Sequence, residues 1–346
     1  MDLPLIALPD EAVRAHAQAA MDGKVKPRGS LGRLETLATT LAAIRGVADP
    51  GPLDPAIVLA AADHGYAEEG VSAYPQEVTR QMLASFAAGG SAVCVLARQA
   101  GARLVVCDAG VVEALGDPAV RELRVGPGTR NATREAAMTR EQAEQSISAG
   151  LELARELARG GVGIVALGEM GIANTTAASA LAAAFTGASP ALVCGRGTGI
   201  DDAGLATKVD AVERALALHR PDATDALGVL AAVGGFEIGM LAGVTLGAAS
   251  ERIPVVLDGF IATSAALVAA VLSPAVTGSL IAGHRSIEPG HRVLLERLGL
   301  EPLLDLELRL GEGSGAALAL PLCAAALAIL REMASFQSAG VTDTGR

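Results

Sequence analysis

A carboxylate stands in a tight turn after an apolar run in the middle of the chain. The segment 168–171 reads Gly-Glu-Met-Gly, and a helix is predicted to begin near Asn174. Glycines let the backbone approach a ligand, and the N–H groups at a helix N-terminus bind phosphate. The alternative is an ordinary turn capped by Asn174 or Thr175. Since such a turn needs no carboxylate, Glu169 favours a functional site, with Gly171 beside the ligand.

A second carboxylate lies between glycines near the C-terminus. The segment 310–315 reads Leu-Gly-Glu-Gly-Ser-Gly and precedes a long apolar helix. Glutamates in exposed loops are usually inert. Flanking glycines give Glu312 no neighbouring side chains, so the backbone and an opposing surface must position it. An acidic residue held in this way is a candidate general base.

A third motif is the glycine-rich segment 195–199, Gly-Arg-Gly-Thr-Gly. Its spacing differs from the G-x-G-x-x-G of dinucleotide-binding loops, and it follows the fourth predicted strand rather than the first. It is compatible with the phosphate of a mononucleotide, with Arg196 and Lys208 supplying positive charge. The alternative for Lys208 is a solvated position on a helix.

Two acidic groups invite a metal-binding interpretation. The pair Asp201 and Asp202 resembles the magnesium-binding pair of enzymes that use phosphoribosyl pyrophosphate, but it opens a helix, where aspartate is common. His64 could join Asp108 and Asp258, yet the chain has no His-x-x-x-His or cysteine-based ligand set. We therefore expect neither a metal nor another cofactor.

The predicted elements place these motifs at one edge of a sheet. Six short apolar runs each end in glycine and polar residues, and helical segments separate them. The runs are 56–62, 103–107, 162–167, 191–194, 253–257 and 279–282. Continuously apolar strands are typical of parallel sheets covered by helices on both faces. The sequence therefore predicts an open α/β sheet with ligands beyond the carboxyl ends of its strands.

Helices are predicted between and around these runs. Segment 139–160 begins with a capping box, and segments 201–218 and 225–251 are also helical. Segments 8–21, 30–44 and 314–335 are helices without strands. They could form a small helical domain from both termini or a dimer contact, and we divide the chain into residues 1–50 with 314–346 and a large domain, 51–313.

One stretch raises the question of a membrane span. Residues 259–283 contain no ionisable side chain. This segment is long enough to cross a bilayer as a helix. Pro274 and Gly278 interrupt it, so the sequence favours a buried helix followed by a buried strand.

The composition excludes some partners. The 346 residues carry a formal net charge of −11, which argues against binding to nucleic acid because phosphate backbones need basic patches. The four cysteines lie in apolar runs, which is typical of buried thiols in a reducing cytoplasm. Residues 1–10 lack the pattern of a secretory signal, so we expect a cytoplasmic protein.

Taken together, the motifs resemble the nicotinate-nucleotide–dimethylbenzimidazole phosphoribosyltransferases of cobalamin nucleotide-loop assembly. The resemblance covers nearly the whole chain, with the motifs in order at matching spacing. They are segments 26–35, 62–65, 69–79, 168–176, 196–199 with Lys208, 283–286 and 310–315.

The resemblance implies a fold, an activity and residue roles. It implies a Rossmann-like parallel sheet with a small helical domain, in a homodimer whose neighbouring subunit lies close to each active site. Glu312 matches the catalytic base and Glu169 a second, assisting carboxylate. Further matches divide into two groups. The phosphate and ribose group is Gly171, Asn174, Thr175, Gly197, Thr198, Gly199, Lys208 and Ser286, and the benzimidazole group is Ser72, Tyr74 and Met82.

The implied reaction moves ribose 5-phosphate from nicotinate mononucleotide to a benzimidazole base. Nicotinate leaves as a neutral ring and no pyrophosphate departs, so no magnesium clamp is needed. Two alternatives stay open at this point. An NAD-dependent oxidoreductase would share the fold class, and a non-enzymatic carrier or sensor of benzimidazoles would share the scaffold but need neither glutamate.

Overall fold

The computed structural model describes residues 1–342, in which six strands form one sheet between two layers of helices. The strands are β1 (Asp54–Ala62), β2 (Arg103–Gly110), β3 (Val120–Glu122), β4 (Val162–Met170), β5 (Val255–Leu257) and β6 (Leu280–Ala282). Neighbouring strands are parallel and follow the order β3-β2-β1-β4-β5-β6. The chain leaves β1 toward one side and returns to β4 on the other. The crossover direction therefore reverses between these strands, where doubly wound sheets bind ligands.

The helices cover both faces of this sheet. They are α1 (Glu11–Asp22), α2 (Arg33–Arg45), α3 (Glu77–Ala87), α4 (Ala92–Gln99), α5 (Arg140–Arg159), α6 (Asn174–Thr186), α7 (Pro190–Val193), α8 (Asp202–His219), α9 (Ala226–Val233), α10 (Phe236–Ser250), α11 (Phe260–Leu272), α12 (Pro289–Leu298), α13 (Ser314–Glu332) and α14 (Phe336–Ala339). Short 3₁₀ helices span Gly65–Glu69 and Pro274–Ser279.

Strand β1 shows why the apolar runs do not alternate. Val58 and Ala60 belong to the core cluster on the side of α5, α6, α10 and α11, whereas Ile57 and Leu59 belong to the cluster on the side of α2, α3, α4 and α13. All four side chains are fully buried. A strand covered on both faces must be apolar at every position, so the predicted parallel α/β sheet is confirmed.

Three details of the predicted elements were wrong. Residues 191–194 are not a strand, because Pro190 occupies the first turn of the short helix α7 and Ser189 precedes it in extended conformation. The sixth strand is instead β3, an edge strand whose Arg121 and Glu122 are exposed and leave no apolar run to detect. Segment 225–251 forms two helices rather than one, since Gly234 and Gly235 interrupt the helical conformation.

The other helices and the stretch 259–283 agree with the sequence. Helix α5 begins with the predicted capping box, in which Thr139 and Gln142 satisfy each other's backbone N–H groups. Residues 259–283 form the buried helix α11 followed by β6. By length and composition, segments Glu77–Gln99 and Ser314–Glu332 could cross a membrane. The first consists of the separate helices α3 and α4, and the second packs on the sheet.

The terminal helices pack on one another. Helices α1, α2 and α13 are in contact, and α13 also packs against α4, β4 and β5. The division into a small domain, 1–50 with 314–346, and a large domain, 51–313, stays a prediction because α13 contributes to the core on one face of the sheet. Residues 343–346 lie outside the described part of the chain.

Candidate active site

Glu169 lies at the carboxyl end of β4, next to the reversal of crossover direction. It pairs with Ala60 of β1 and is 6% exposed. Burial raises the pKa of the Glu169 carboxyl to about 8, while a hydrogen bond from the Asn174 side chain opposes this increase and the nearby charge of Asp258 adds to it. In the protein without substrate, this carboxyl is therefore mostly protonated near neutral pH.

The turn after Glu169 does not follow the ordinary capping pattern. Helix α6 begins after Ala173, whose φ is 73°, and neither Asn174 nor Thr175 caps it. The Asn174 side chain donates to Glu169 instead. The Thr175 hydroxyl accepts a hydrogen bond from the Lys208 ammonium at 2.7 Å. Both side chains hold site residues, which favours the functional interpretation of this turn over the capping one.

Glu312 lies in a strained turn that ends at α13. Gly311, Glu312 and Gly313 have φ angles of 81°, 61° and 87°, and Glu312 is 5% exposed. A non-glycine residue in this region costs about 1–2 kcal/mol, so surrounding contacts must hold it. Burial raises the pKa of the Glu312 carboxyl, a hydrogen bond from the Val93 N–H opposes this increase, and the Asp258 charge adds to it.

The predicted turn around Glu169 is instead the end of β4, which continues to Met170. This strand end is in direct contact with the turn that carries Glu312. A β-carbon on Gly168 would collide with the carbonyl oxygen of Glu312, and one on Gly311 would collide with the Glu169 carboxyl. A β-carbon on Gly313 would stand 3.1 Å from the Cα of Gly168. Glycine at these positions lets the Glu312 turn approach the end of β4 that carries Glu169.

Asp258, which follows β5, accepts backbone N–H groups at the start of α13. Its carboxylate receives hydrogen bonds from Gly313, Gly315 and Ala316 at 3.2, 2.7 and 3.1 Å. The Nε2 atom of His284 lies 3.3 Å from it. Asp258 is 1% exposed, so several donors compensate its buried charge.

The glycine-rich loop lies opposite these turns. The Thr198 hydroxyl accepts the Ala73 N–H at 3.0 Å and lies 3.2 Å from the Ser72 hydroxyl. The Gly197 N–H donates to the Glu288 carboxylate at 2.9 Å, and its carbonyl accepts from Arg309 at 3.0 Å. These bonds connect the loop to the segment around Ser72 and to the chain before α13.

Lys208 lies underneath this loop rather than on a solvated helix face. It is fully buried, and its ammonium donates to the Thr175 hydroxyl and, at 3.0 Å, to the Gly195 carbonyl. Burial lowers the pKa of Lys208, and the Glu288 charge opposes that decrease. A β-carbon on Gly197 would stand 3.4 Å from the ammonium nitrogen, so the positive charge lies directly behind the loop. Arg196, by contrast, pairs with Asp202.

A cavity of about 540 Å³ opens between these elements. The predicted site residues that line it are Tyr74, Glu169, Gly171, Asn174, Thr175, Gly197, Thr198 and Ser286. Lys208 stands behind that wall, Gly199 is exposed at the end of the loop, and Ser72 touches the wall through Thr198. Glu312 follows the lining residue Gly311. The structure thus gathers most of the predicted phosphate, ribose and carboxylate residues around one space.

The predicted base-binding residues are less closely grouped. Tyr74 is 55% exposed and borders this cavity and a neighbouring one of about 680 Å³. Met82 is half-buried in α3 and packs against the core beside α4 and α13. The larger cavity is lined by acidic side chains such as Glu77 and Glu113 and lacks the glycine-rich loop. We therefore assign the site to the cavity that holds Glu169, and the roles of Ser72, Tyr74 and Met82 stay predictions.

The acidic and histidine side chains considered for a metal have other partners. His64 lies 2.7 Å from Glu237, and both are fully buried. Asp108 accepts the N–H groups of Gly110 and Val111 at 2.9 and 2.8 Å. Within residues 1–342, no group of three His, Cys, Asp or Glu side chains is arranged to hold a metal ion. Asp201 caps α8 by accepting the Gly204 N–H, as its position in the sequence indicates.

Sequence reasoning missed some residues of this wall. Glu288, Arg309 and His284 line the cavity, but no role was predicted for them. Glu288 precedes Pro289 at the start of α12, where an acidic residue is ordinary. Its partner Gly197 is 91 residues away, and no local pattern reveals such a contact.

Comparison with known proteins agrees with this geometry. A family model described as "Phosphoribosyltransferase" matches residues 6–341. Over 334 residues, the chain is 54% identical to the nicotinate-nucleotide–dimethylbenzimidazole phosphoribosyltransferase of a Roseiflexus species, covering 96% of this chain and 95% of the relative. The protein of that name from Geobacter metallireducens is 53% identical, covering 96% of this chain and 94% of the relative. This chain belongs to that phosphoribosyltransferase family.

A solved structure extends the agreement to the fold. The crystal structure of CobT from Thermus thermophilus superposes with a TM-score of 0.92 at 50% identity, covering 96% of this chain and 99% of that chain. Membership of this phosphoribosyltransferase family confirms the resemblance read from the sequence motifs. It also confirms that the chain is a pentosyltransferase of cobalamin biosynthesis, rather than an oxidoreductase or a carrier.

Proposed function

We propose that this chain transfers the 5-phosphoribosyl group from nicotinate mononucleotide to 5,6-dimethylbenzimidazole, giving α-ribazole 5′-phosphate and nicotinate. The observation that carries the proposal is the contact between the end of β4, which holds the buried Glu169, and the turn that holds the buried Glu312, beside a cavity walled by a glycine-rich loop. A binder of benzimidazole would not need two carboxyls with raised pKa values on segments that touch each other.

Glu312 acts as the general base. The benzimidazole attacks through one ring nitrogen and must lose the proton on the other. A base works best when its pKa approaches the working pH, and burial raises the pKa of Glu312 in that direction. The Val93 N–H and the tight turn hold the carboxyl in place, so little reorganisation precedes proton transfer.

Glu169 stabilises positive charge on the ribose. Its carboxyl is mostly neutral in the unliganded protein because its pKa is about 8. The pyridinium nitrogen of nicotinate mononucleotide is cationic, and a nearby cation favours the ionised carboxylate. Substrate binding therefore ionises Glu169, and the resulting anion lies where positive charge develops as the bond to nicotinate breaks.

The glycine-rich loop and the start of α6 hold the 5′-phosphate. Gly197, Thr198 and Thr175 line the cavity on the side of Lys208, whose buried ammonium attracts an anion. Because Lys208 is bonded to the Thr175 hydroxyl, it also fixes that hydroxyl toward the phosphate. Ser286 completes this wall near the ribose.

The chain works as a cytoplasmic homodimer with a small helical domain from residues 1–50 and 314–346. The packing of α1, α2 and α13 on one another supports that domain. Four buried free cysteines support a reducing compartment. Light scattering coupled to size-exclusion chromatography gives twice the chain mass if the dimer forms, and a single chain mass contradicts it.

Incubation with nicotinate mononucleotide and dimethylbenzimidazole in excess EDTA tests the reaction. We expect equal amounts of nicotinate and α-ribazole 5′-phosphate, followed by chromatography and mass spectrometry. Product that forms only after magnesium is added contradicts the metal-free mechanism. Saturable binding of the base with no product under either condition contradicts dimethylbenzimidazole as the acceptor.

A further inference from the structure

We propose that Asp258 is a positioning residue that holds the Glu312 turn in its reactive conformation. The inference rests on the proposed role of Glu312 as the general base. Asp258 itself follows β5, while Glu312 precedes α13, so the two belong to different elements of the sheet edge. Asp258 acts on the backbone around Glu312 rather than on the substrate.

The hydrogen bonds of Asp258 show how it holds the turn. Its carboxylate accepts the N–H of Gly313, the residue directly after Glu312, at 3.2 Å. It also accepts the N–H groups of Gly315 and Ala316, the second and third residues of α13, at 2.7 and 3.1 Å. These groups would otherwise be unpaired at the helix N-terminus, so one side chain fixes both the helix start and the residue next to the base.

The turn needs such an anchor because its conformation is unfavourable by itself. Three consecutive residues, Gly311 to Gly313, have positive φ angles, and the middle one is Glu312. Without a partner for the Gly313 N–H, the peptide after Glu312 could rotate toward an ordinary conformation and move the carboxyl. Such a shift of about 1 Å is enough to cost about 100-fold in rate.

The charge of Asp258 also affects the pKa values of the two active-site glutamates. Asp258 contributes to the raised pKa values of both Glu312 and Glu169. The other ionisable groups near it are His284, at the end of β6, and His291, on α12. Glu237 of α10 also raises the pKa of Glu169. Loss of the Asp258 charge should therefore lower the pKa of the Glu312 carboxyl.

Asp258→Asn removes this charge. It also replaces one carboxylate oxygen with an NH2 group, which cannot accept a hydrogen bond from a backbone N–H. Asp108→Asn is the matched control, because Asp108 is also 1% exposed and accepts two backbone N–H groups at the end of β2, away from the cavity wall. For Asp258→Asn we expect a kcat about 10- to 100-fold lower, with little change in the KM for nicotinate mononucleotide. The acid limb of its kcat profile should move to lower pH. For Asp108→Asn we expect the kcat and the pH profile of the parent protein.

A double-mutant cycle with Glu312→Gln distinguishes positioning from general damage. If Asp258 acts through Glu312, the double variant is no slower than Glu312→Gln alone. Rate losses that multiply, or an equal loss in Asp108→Asn, overturn the proposal. If Asp258→Asn does not fold, Asp258→Glu, which keeps the charge but shifts the carboxylate, replaces it in the cycle, with an expected kcat loss of about threefold and an unchanged acid limb.

Amide hydrogen exchange provides a readout that does not depend on the proposed reaction. Asp258→Asn should speed exchange at Gly313, Gly315 and Ala316, whereas Asp108→Asn should speed it at Gly110 and Val111. A parent protein without transferase activity refutes the proposed function but leaves this readout intact. Unchanged exchange at Gly313, Gly315 and Ala316 in Asp258→Asn refutes the positioning role, whatever the activity.

Discussion

Gly168 of β4 touches the turn of Glu312 so closely that a β-carbon on residue 168 would collide with the main-chain carbonyl of Glu312. Gly168→Ala should therefore displace the Glu312 turn. We expect a kcat about 10- to 100-fold lower, because the misplaced Glu312 carboxyl no longer reaches the proton on the benzimidazole ring nitrogen. Steady-state kinetics with both substrates measures this loss.

Gly163→Ala is the control for the strand itself. Gly163 lies in the same strand, β4, at the opposite end, where a β-carbon would stand 3.1 Å from Leu53. It should cost some stability through tight packing, about 1–3 kcal/mol at most, without lowering kcat. Equal kcat values for Gly168→Ala and Gly163→Ala would show that the contact between Gly168 and Glu312 does not matter for the reaction.

Glu312→Gln tests the general base directly. The amide keeps the size of the side chain but cannot accept the benzimidazole proton, so turnover should fall by about 100-fold or more while substrate binding survives. The exposed carboxylate Glu301 offers a control as Glu301→Gln, which should retain the parent turnover. Near-normal turnover of Glu312→Gln would refute the assignment.

The sequence predicts those parts of the site that depend on patterns within one short segment of the chain. The apolar runs before Gly65, Gly168 and Gly283 predicted strands because both faces of the sheet are covered. The glycines around Glu312 predicted a turn, since Gly311 and Gly313 take backbone conformations that only glycine adopts easily. The turn predicted at Glu169 was wrong, because β4 continues through Gly168 and Glu169 to Met170. The four-residue run ending at Cys194 failed because a short apolar run has no period that separates strand from helix.

Contacts between distant segments could not be read from the sequence. The sequence allows a solvated helix position for Lys208, yet this side chain is fully buried beneath the glycine-rich loop. The sequence suggests only a metal ligand for Asp258, whereas its three backbone partners lie 55 to 58 residues away. The Lys208 contacts depend on how α8 packs on α6, and the Asp258 contacts depend on where β5 lies relative to the start of α13; the sequence pattern left both open.

Lys208→Met tests the source of phosphate affinity. The methionine fills a similar volume without the charge, so the KM for nicotinate mononucleotide should rise by about 10-fold or more. The reaction with nicotinate riboside, which has no phosphate, should change little and serves as the internal control. An equal loss with both substrates would mean that Lys208 supports the loop rather than attracting the phosphate.

Glu169→Gln should change how stability depends on pH. The folded protein raises the pKa of this carboxyl from an ordinary 4.5 to about 8, so folding favours the protonated form. The contribution of Glu169 to stability is full below about pH 4.5 and declines as the pH rises toward 8. Glutamine cannot ionise, so the variant should gain stability over the parent by up to about 1.4 kcal/mol per pH unit in this range.

Chemical denaturation at several pH values measures this gain. Glu301→Gln, at an exposed site, should show no comparable trend. A stability difference between Glu169→Gln and the parent that stays constant from pH 5 to 8 would show that the Glu169 carboxyl is already ionised in the folded protein.

Binding of nicotinate mononucleotide should release a proton from Glu169. Because the cationic pyridinium favours the carboxylate, up to about one proton per site should leave on binding near pH 7, and the affinity should increase as the pH rises toward 8. Calorimetric titrations in buffers with different heats of ionisation count this proton. Protons lost by the substrate phosphate contribute equally in all variants, so the comparison with Glu169→Gln isolates the glutamate. Glu312→Gln should retain the release and Glu169→Gln should lose it; an equal release from both would place the ionising group elsewhere.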